Sequence, residues 1–206
     1  MSFIPTSELI KTGSYFDSPK SFFGLFSSAW DGVRSQVLKY ESRQQYIEQD
    51  SESWRAWMER GDWPTSMNLL EESRSVDVPL YESLKVRGID FIRCHPVSFP
   101  LSKYMKWEFE VYKFNEKHGE RIFCANSVAV SDFMHRFAQH DFMVFDGRIA
   151  AIHHYDADGL VVGGWWTQDS TAISELIKIH GFIKSNCRPF KLFYEANEAR
   201  IGKRDS

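Results

Sequence analysis

Gln139-His-Asp-Phe-Met-Val-Phe-Asp-Gly-Arg-Ile-Ala-Ala-Ile-His-His-Tyr-Asp-Ala-Asp-Gly-Leu-Val-Val-Gly-Gly-Trp-Trp166 decides the fold. Asp146-Gly147 sits between two apolar runs, and a turn of that kind demands the positive φ that Gly adopts at no steric cost. A second turn reads at Asp156-Ala157-Asp158-Gly159, so the stretch is three consecutive strands. Phe142 and Val144 point to one face of the first strand and Met143 and Phe145 to the other. Both faces are apolar, and both call for a cover of helices.

Upstream, a short helix over 80–87 closed by Gly88, a strand over 89–94, a helix over 100–117 closed by Gly119 and a strand over 120–125 lead to a helix near 129–138 and into the meander. A long helix follows at about 170–185. Strands alternating with helices before a hairpin predict an α/β (or α+β) fold: a mixed sheet with a C-terminal antiparallel meander, helices on both faces, and strands 89–94 and 120–125 parallel. In the first third, Phe22, Phe23, Phe26, Trp30 and Val33 form a helix stripe entered through Ser18-Pro19, residues 35–41 alternate as a strand, and Trp54, Trp57 and Met58 share a helix face that stops at Gly61. A looser connection over 62–78 is interrupted by Pro64. These patterns divide the chain into an N-terminal helical cap (1–78) packed on the core, an α/β core (79–190) and a frayed tail (191–206).

The chain has 206 residues, 43% of them hydrophobic and 16% aromatic, ample for a packed core. Lys plus Arg number 25 against 28 Asp plus Glu, a net charge of −3, which argues against nucleic acid and against an anionic membrane as partners. No apolar run approaches the roughly 20 residues of a membrane span, and a cytoplasmic location is expected. Cys94, Cys124 and Cys187 are widely spaced with no Cys-x-x-Cys pair, and read as reduced structural thiols.

One carboxylate stands in the wrong place. On helix 100–117, Leu101, Tyr104, Met105, Glu108, Val111, Tyr112 and Asn115 form one stripe, and Glu108 falls in its middle. Burying it there costs several kcal/mol unless it is paired or neutralised, on the order of what buried ions lose in hydration. Arg93 is its nearest partner by sequence. Two readings follow. One is a buried Glu108–Arg93 pair that fixes helix against sheet; the other is a pocket where Glu108 and Asn115 orient a polar ligand, or where a raised carboxyl pKa serves acid–base chemistry.

His135, His140, Asp141, Asp146, His153, His154, Asp156 and Asp158 crowd the meander, but His153 and His154 are strand neighbours pointing to opposite faces, so no metal site is expected. His153 shares a face with Ile149 and Ala151 and reads first as a core histidine. Asp146 has turn chemistry as its default. Gly163-Gly164 reads as a bulge or as a close approach of backbone or ligand to the sheet. No nucleophile elbow, dinucleotide fingerprint or phosphate loop is present, and no cofactor is expected.

Tyr40-Glu41-Ser-Arg-Gln-Gln-Tyr46, Pro100-Leu-Ser-Lys-Tyr104 with Trp107-Glu108, Asn115 through Gly119-Glu120, and Asp141-Phe-Met-Val-Phe-Asp146 together resemble an uncharacterised bacterial domain family, abundant in actinomycetes and often encoded beside helix-turn-helix regulators. The resemblance covers roughly residues 22 to 190 and implies a regulatory or binding context. More distantly, His140-Asp141-Phe-Met-Val-Phe-Asp146-Gly147 and its flanking elements resemble one lobe of the phospholipase D-like fold. In its active members a His-x-Lys element supplies the nucleophile and phosphate-binding charge; here Phe142 stands where Lys would, which implies a degenerate lobe.

The expectation is a cytosolic regulatory module binding a small polar ligand or a partner protein in a pocket between helix 100–117, strand 89–94 and the 141–166 meander, with Arg93, Tyr104, Glu108, Asn115 and Asp146 as binding residues. The alternative is an enzyme acting on a phosphate ester or an activated acyl group, with His140 or His153 as base or nucleophile. Convergence of Glu108 and His140 in an open cleft would favour the second.

Overall fold

The computed structural model describes residues 2–202, apart from the side chains of residues 74–77. In chain order it forms α1 (Thr6–Leu9), β1 (Ser14–Phe16), α2 (Pro19–Phe23), α3 (Phe26–Gly32), β2 (Gln36–Tyr40), α4 (Glu52–Met58), α5 (Trp63–Val86), β3 (Asp90–Val97), α6 (Lys103–Lys117), β4 (Arg121–Asn126), α7 (Ser131–Phe137), β5 (Phe142–Phe145), β6 (Ile149–Tyr155), β7 (Val161–Thr167), α8 (Ser170–Ser185), β8 (Arg188–Pro189) and α9 (Phe190–Ile201). The strands make one mixed sheet in the order β1-β7-β6-β5-β2-β3-β4-β8. β2, β3 and β4 are parallel, and β5, β6 and β7 form the antiparallel meander.

Burial follows the pleat. Even-numbered Phe142 and Val144 join Ile152, Leu176 and Ile179 under α8, whereas odd-numbered Met143 and Phe145 join Phe22, Phe91 and Trp166 on the other face. At the hairpin tip Asp146 and Gly147 both take positive φ, 52° and 64°, and the Arg148 N–H closes the turn on the Phe145 carbonyl at 3.0 Å. Ser102 and Asp169 cap α6 and α8 by accepting the N–H three residues on.

The N-terminal third departs from the expected cap. β2 lies at the centre of the sheet, parallel to β3 and antiparallel to β5, and β1 adds to its β7 edge. The boundary expected at 78 falls inside α5, which starts from an Asp62 cap with Pro64 in its first turn and runs through Pro79. Pro64 opens that helix instead of interrupting it, because first-turn N–H groups need no intrahelical acceptor. The stripe from Phe22 to Val33 divides into α2 and α3 at Gly24. At the other end, α9 is docked instead of frayed: Phe190 and Phe193 are buried, and Phe190 meets Phe109 of α6 edge-on at 5.1 Å. The end of the expected tail, Lys203 to Ser206, lies outside the described residues.

Gly163 and Gly164 mark a close approach. A Cβ on Gly163 would stand 2.2 Å from the Phe16 carbonyl oxygen, and one on Gly164 2.4 Å from the Phe22 ring and 2.5 Å from the Ile152 carbonyl oxygen. The register shift between His154 and Tyr155 on the paired strand lies beside them. Gly164→Ala should therefore destabilise by about 1–3 kcal/mol through overpacking, read as a lower urea midpoint at unchanged slope. An unchanged midpoint would show that α2 can give way.

Candidate functional site

The sheet face beneath α6 carries a row of polar side chains in a place that burial reserves for apolar ones. Lys39 on β2 is in register with Arg93 on β3, and Glu41 and His95 follow two residues further along, on the same face because strand side chains alternate. Asp141 and His153 continue the row on the meander, linked by the His153 N–H to the Asp141 carbonyl at 2.8 Å. From above, α6 contributes Tyr104, Glu108, Tyr112 and Asn115, all buried.

Arg93 is the hub. Its Nε donates to Glu120 at 2.6 Å, and its Nη1 to Glu41 at 2.9 Å and Glu108 at 3.2 Å, with the Tyr112 ring 5.0 Å away. Glu120 also accepts from the Asn115 amide at 2.8 Å and the Tyr81 hydroxyl at 3.1 Å. Glu41 pairs with Lys39 at 2.7 Å. Although burial pushes the Glu41 carboxyl up, Arg93 and Lys39 beside it hold it well below the usual carboxylate range. Two cations, Arg93 and Lys39, thus balance two carboxylates, Glu41 and Glu120.

Glu108 is left over. Burial, reinforced by the charge of Glu48, pushes its carboxyl up to about 8 against the pull of Arg93. The Tyr104 hydroxyl is 2.7 Å from Glu48 and 3.2 Å from Glu108 but has a single hydrogen to give. A protonated Glu108 donating to Tyr104, with Tyr104 donating to Glu48, satisfies all three. His95 is fully buried between the Arg43 carbonyl and the Tyr112 hydroxyl, each at 2.7 Å, and burial lowers its pKa, so it stands neutral.

The proton on Glu108 sets a pH dependence. Burial pushes Asp141 up to about 6, lowers His153 and His180 to about 4 and lowers His95 and His140 as well, so the unfolded chain, with histidines near 6.5, binds more protons at these histidines until pH passes roughly 7.5, above which they are neutral in both states. Glu108 still holds its proton in the folded state up to about 8, whereas the unfolded chain loses it near 4.5. Above about pH 7.5 the folded state then binds more protons, and stability falls as pH rises from there through about 8, by at most ~1.4 kcal/mol per unit for one proton. Urea titrations across that range should show this decline in the wild type and a flatter profile in Glu108→Gln; parallel profiles would place the proton elsewhere.

In front of this network opens a cleft of about 1020 Å³, walled by α2, the segment 46–53, α5, α6 and the meander. Lys39, Glu41, Glu48, Tyr104, His153 and Tyr155 reach it. Of the expected binding residues, Arg93, Tyr104, Glu108 and Asn115 come together in one network, with Tyr104 on the cleft and the other three buried behind it. Asp146 is elsewhere: at the hairpin tip its carboxylate accepts the N–H groups of Arg34, Ser35 and Gln36. His140 lies on the opposite sheet face, where its Nδ1 is 3.1 Å from the Thr6 hydroxyl and its ring meets Trp165 edge-on. It does not converge with Glu108, because one step along a strand reverses the face. His153 does line the cleft, 7% exposed, among the Phe22, Phe23, Phe26 and Tyr155 rings.

Lys39, Glu41, Glu48, His95 and Glu120 were not singled out by sequence reasoning. For Lys39 and Glu41 a signal existed: alternation over 35–41 puts both on the face of buried Val37, the argument that exposed Glu108. Glu120 opens the strand read over 120–125 and shares by alternation the face of buried Ile122 and Cys124, a signal of the same kind, whereas Glu48 lies outside regular periodicity and carries none. Among the described residues no group of three or more His, Cys, Asp or Glu side chains is placed to hold a metal ion. The three cysteines are free thiols, and no helix among the described residues is long and apolar enough to cross a membrane.

Fold and site define a mixed α/β domain in which a buried charge network backs an open cleft. The chain belongs to the DUF6879 family, a domain of unknown function, whose profile matches residues 25–195. No curated protein matches it. Among solved structures it is similar to TrmBL2, an archaeal chromatin protein whose structure is described as showing a novel mode of DNA binding. That likeness has a TM-score of 0.48 at 6% identity and covers 92% of this chain, which spans 57% of that chain's length. The neighbour stands against leaving nucleic acid out of the partners on charge balance alone, and that expectation is withdrawn; the likeness assigns no partner to this chain.

Proposed function

We propose that this protein is a cytoplasmic binding module of a regulatory system that holds a small polar ligand in the cleft between α6, α2 and the meander, without turning it over. The observation that carries this reading is the cleft itself, whose wall mixes aromatic rings with a few converging polar groups, as ligand sites do. The network of Arg93, Glu41 and Glu120 behind it fixes the position of α6 over the sheet and so pre-organises Tyr104 at the cleft wall. The histidines available for chemistry support binding over catalysis. His140 is engaged with Thr6, and among the described residues no serine, threonine or cysteine hydroxyl or thiol is bonded to His153, which sits among aromatic rings. A degenerate phospholipase D-like core fits the same reading, since Phe142, where a phosphate-binding lysine would stand, is fully buried.

Native mass spectrometry of the protein purified from its own host is expected to show a small-molecule adduct that is lost on unfolding. Wild type and His140→Ala are expected to leave a chromogenic phosphodiester unhydrolysed. Absence of any adduct, together with turnover that disappears in His140→Ala, would replace binding with catalysis.

A further inference from the structure

We propose that Cys94 and Cys187 form a redox-modification site, a pair of thiols that a hydroperoxide converts into a disulfide tying β3 to the corner where α8 turns into β8.

Sheet geometry selects the pair. Cys94 is in register with Phe123 on β4 and shares the α8 face with Ile92, whereas Cys124 is in register with His95 and belongs to the opposite face, under α6. Cys187 follows the C-terminal end of α8, where its N–H meets the Lys184 carbonyl at 3.0 Å, and it packs on the cluster that holds Cys94. There the two thiols are in side-chain hydrogen-bonding contact, and both act on the Tyr40 hydroxyl. A disulfide needs the sulfurs to close from that contact to about 2 Å. Cys94 is fixed between β2 and β4, and Cys187 stands on a turn ahead of the two-residue edge strand β8, so the approach falls to Cys187.

Exposure divides the roles. Cys94 is fully buried, and burial pushes its thiol up, so it rests protonated. Cys187 is half-buried and is the sulfur that a dissolved oxidant reaches. Its sulfur attacks the hydroperoxide, the O–O bond breaks, Cys187 becomes a sulfenic acid, and the second oxygen leaves as water or an alcohol. The Cys94 sulfur then attacks that of Cys187. The S–O bond breaks, and the departing hydroxide takes the Cys94 proton and leaves as water. Two electrons have passed from the thiol pair to the peroxide, and one S–S bond has formed. The Lys184 ammonium, 5.0 Å from the Phe123 ring on the same face, opposes the effect of burial on Cys94 and so favours its sulfur as the attacking anion. The bridge fastens edge strand β8, and with it the start of α9, to the centre of the sheet, and a thiol reductant reverses it by exchange.

The full chain, treated with hydrogen peroxide while folded, then quenched, denatured and alkylated with N-ethylmaleimide, is expected to take up label at Cys124 alone. Peptide mapping should recover Cys94 linked to Cys187, and dithiothreitol before alkylation should restore label to all three cysteines. Cys124→Ser should still form the bridge. Cys187→Ser should not, and should leave Cys94 and Cys124 open to label. Oxidation in urea should spread the linkage to Cys124, because the folded sheet is what keeps that thiol on the other face. Full labelling of peroxide-treated wild type would overturn the proposal. So would a linked peptide containing Cys124 from folded protein, a link between two chains, or sulfinic acid at Cys187 without a link. Should Cys187→Ser not fold, the peptide map of the wild type decides.

Discussion

Arg93→Met should lower the unfolding free energy by about 3–5 kcal/mol, the range seen when one partner of a buried ion pair is removed. The guanidinium is shared by Glu120, Glu41 and Glu108, all within 3.2 Å, and its side chain is only 8% exposed. Methionine fills much of the volume and supplies no charge. Glu41 would keep Lys39 at 2.7 Å, and Glu108 is already neutral, so the penalty concentrates on Glu120. That carboxylate would retain the Asn115 amide and the Tyr81 hydroxyl but no cation. Adding Glu120→Gln should therefore recover part of the loss, so that the double mutant falls short of the sum of the single effects by about 1 kcal/mol or more, within the usual span for residues in contact. Urea midpoints for the two single mutants and the double give the coupling. Strict additivity would mean that Arg93 does not compensate Glu120.

Asp146→Ala should cost about 2–4 kcal/mol although it sits at a hairpin tip, where substitutions are commonly mild. Its carboxylate takes the backbone N–H groups of Arg34, Ser35 and Gln36 at 2.7–3.0 Å, and the Ser35 hydroxyl at 2.8 Å. Hydrogen bonds to a charged acceptor contribute about 1.5–3 kcal/mol each where buried, and water replacing some of them here brings the total down to that estimate. Alanine is also strained at φ 52°, which Asp and Asn tolerate. Asp146→Asn keeps one acceptor oxygen and the backbone preference, and should cost about half as much as alanine. Burial opposes ionisation of Asp146, yet the N–H groups of Gln36, Ser35 and Arg34 hold its pKa well below the ordinary 3.8. Its contribution is accordingly complete above about pH 4 and is lost as pH falls through the lower folded value. Acid unfolding should be steeper in the wild type than in Asp146→Ala; coincident acid limbs would show that the carboxylate does not anchor β2.

These two residues show unequal legibility in the sequence. Asp146 could be placed at a hairpin from its neighbour Gly147, but its partners lie more than a hundred positions away at the start of β2, and no local pattern announces them. Glu108 was conspicuous because a helix has a fixed period, and Arg93 followed as the nearest base. The other two carboxylates on Arg93 lay at the ends of strands read over 120–125 and 35–41, Glu120 opening the one and Glu41 closing the other, and a strand end in a segment assigned to a helical cap gave no reason to bring Glu41 to Arg93. Gly163-Gly164 pointed to a bulge or a close approach, and the space to be filled, by Phe16 and Phe22, belonged to a segment read as separate from the sheet.

The sequence by itself determined what is periodic and local: the meander with its turns, the parallel order of 89–94 and 120–125, the helices 100–117 and 170–185 with their ends, and the anomaly of a carboxylate on an apolar stripe. Tertiary structure alone decided that β2 joins the parallel strands to the meander, that α5 continues through Pro79, that α9 docks on α6, and that neighbouring His140 and Asp141 serve opposite faces of the sheet. Hydrogen-bond geometry and side-chain alternation act over a few residues and leave their period in the chain. Strand pairing, the sharing of one guanidinium and the walls of a cleft are settled by which distant segments bury each other's surface, and that choice leaves no period to read.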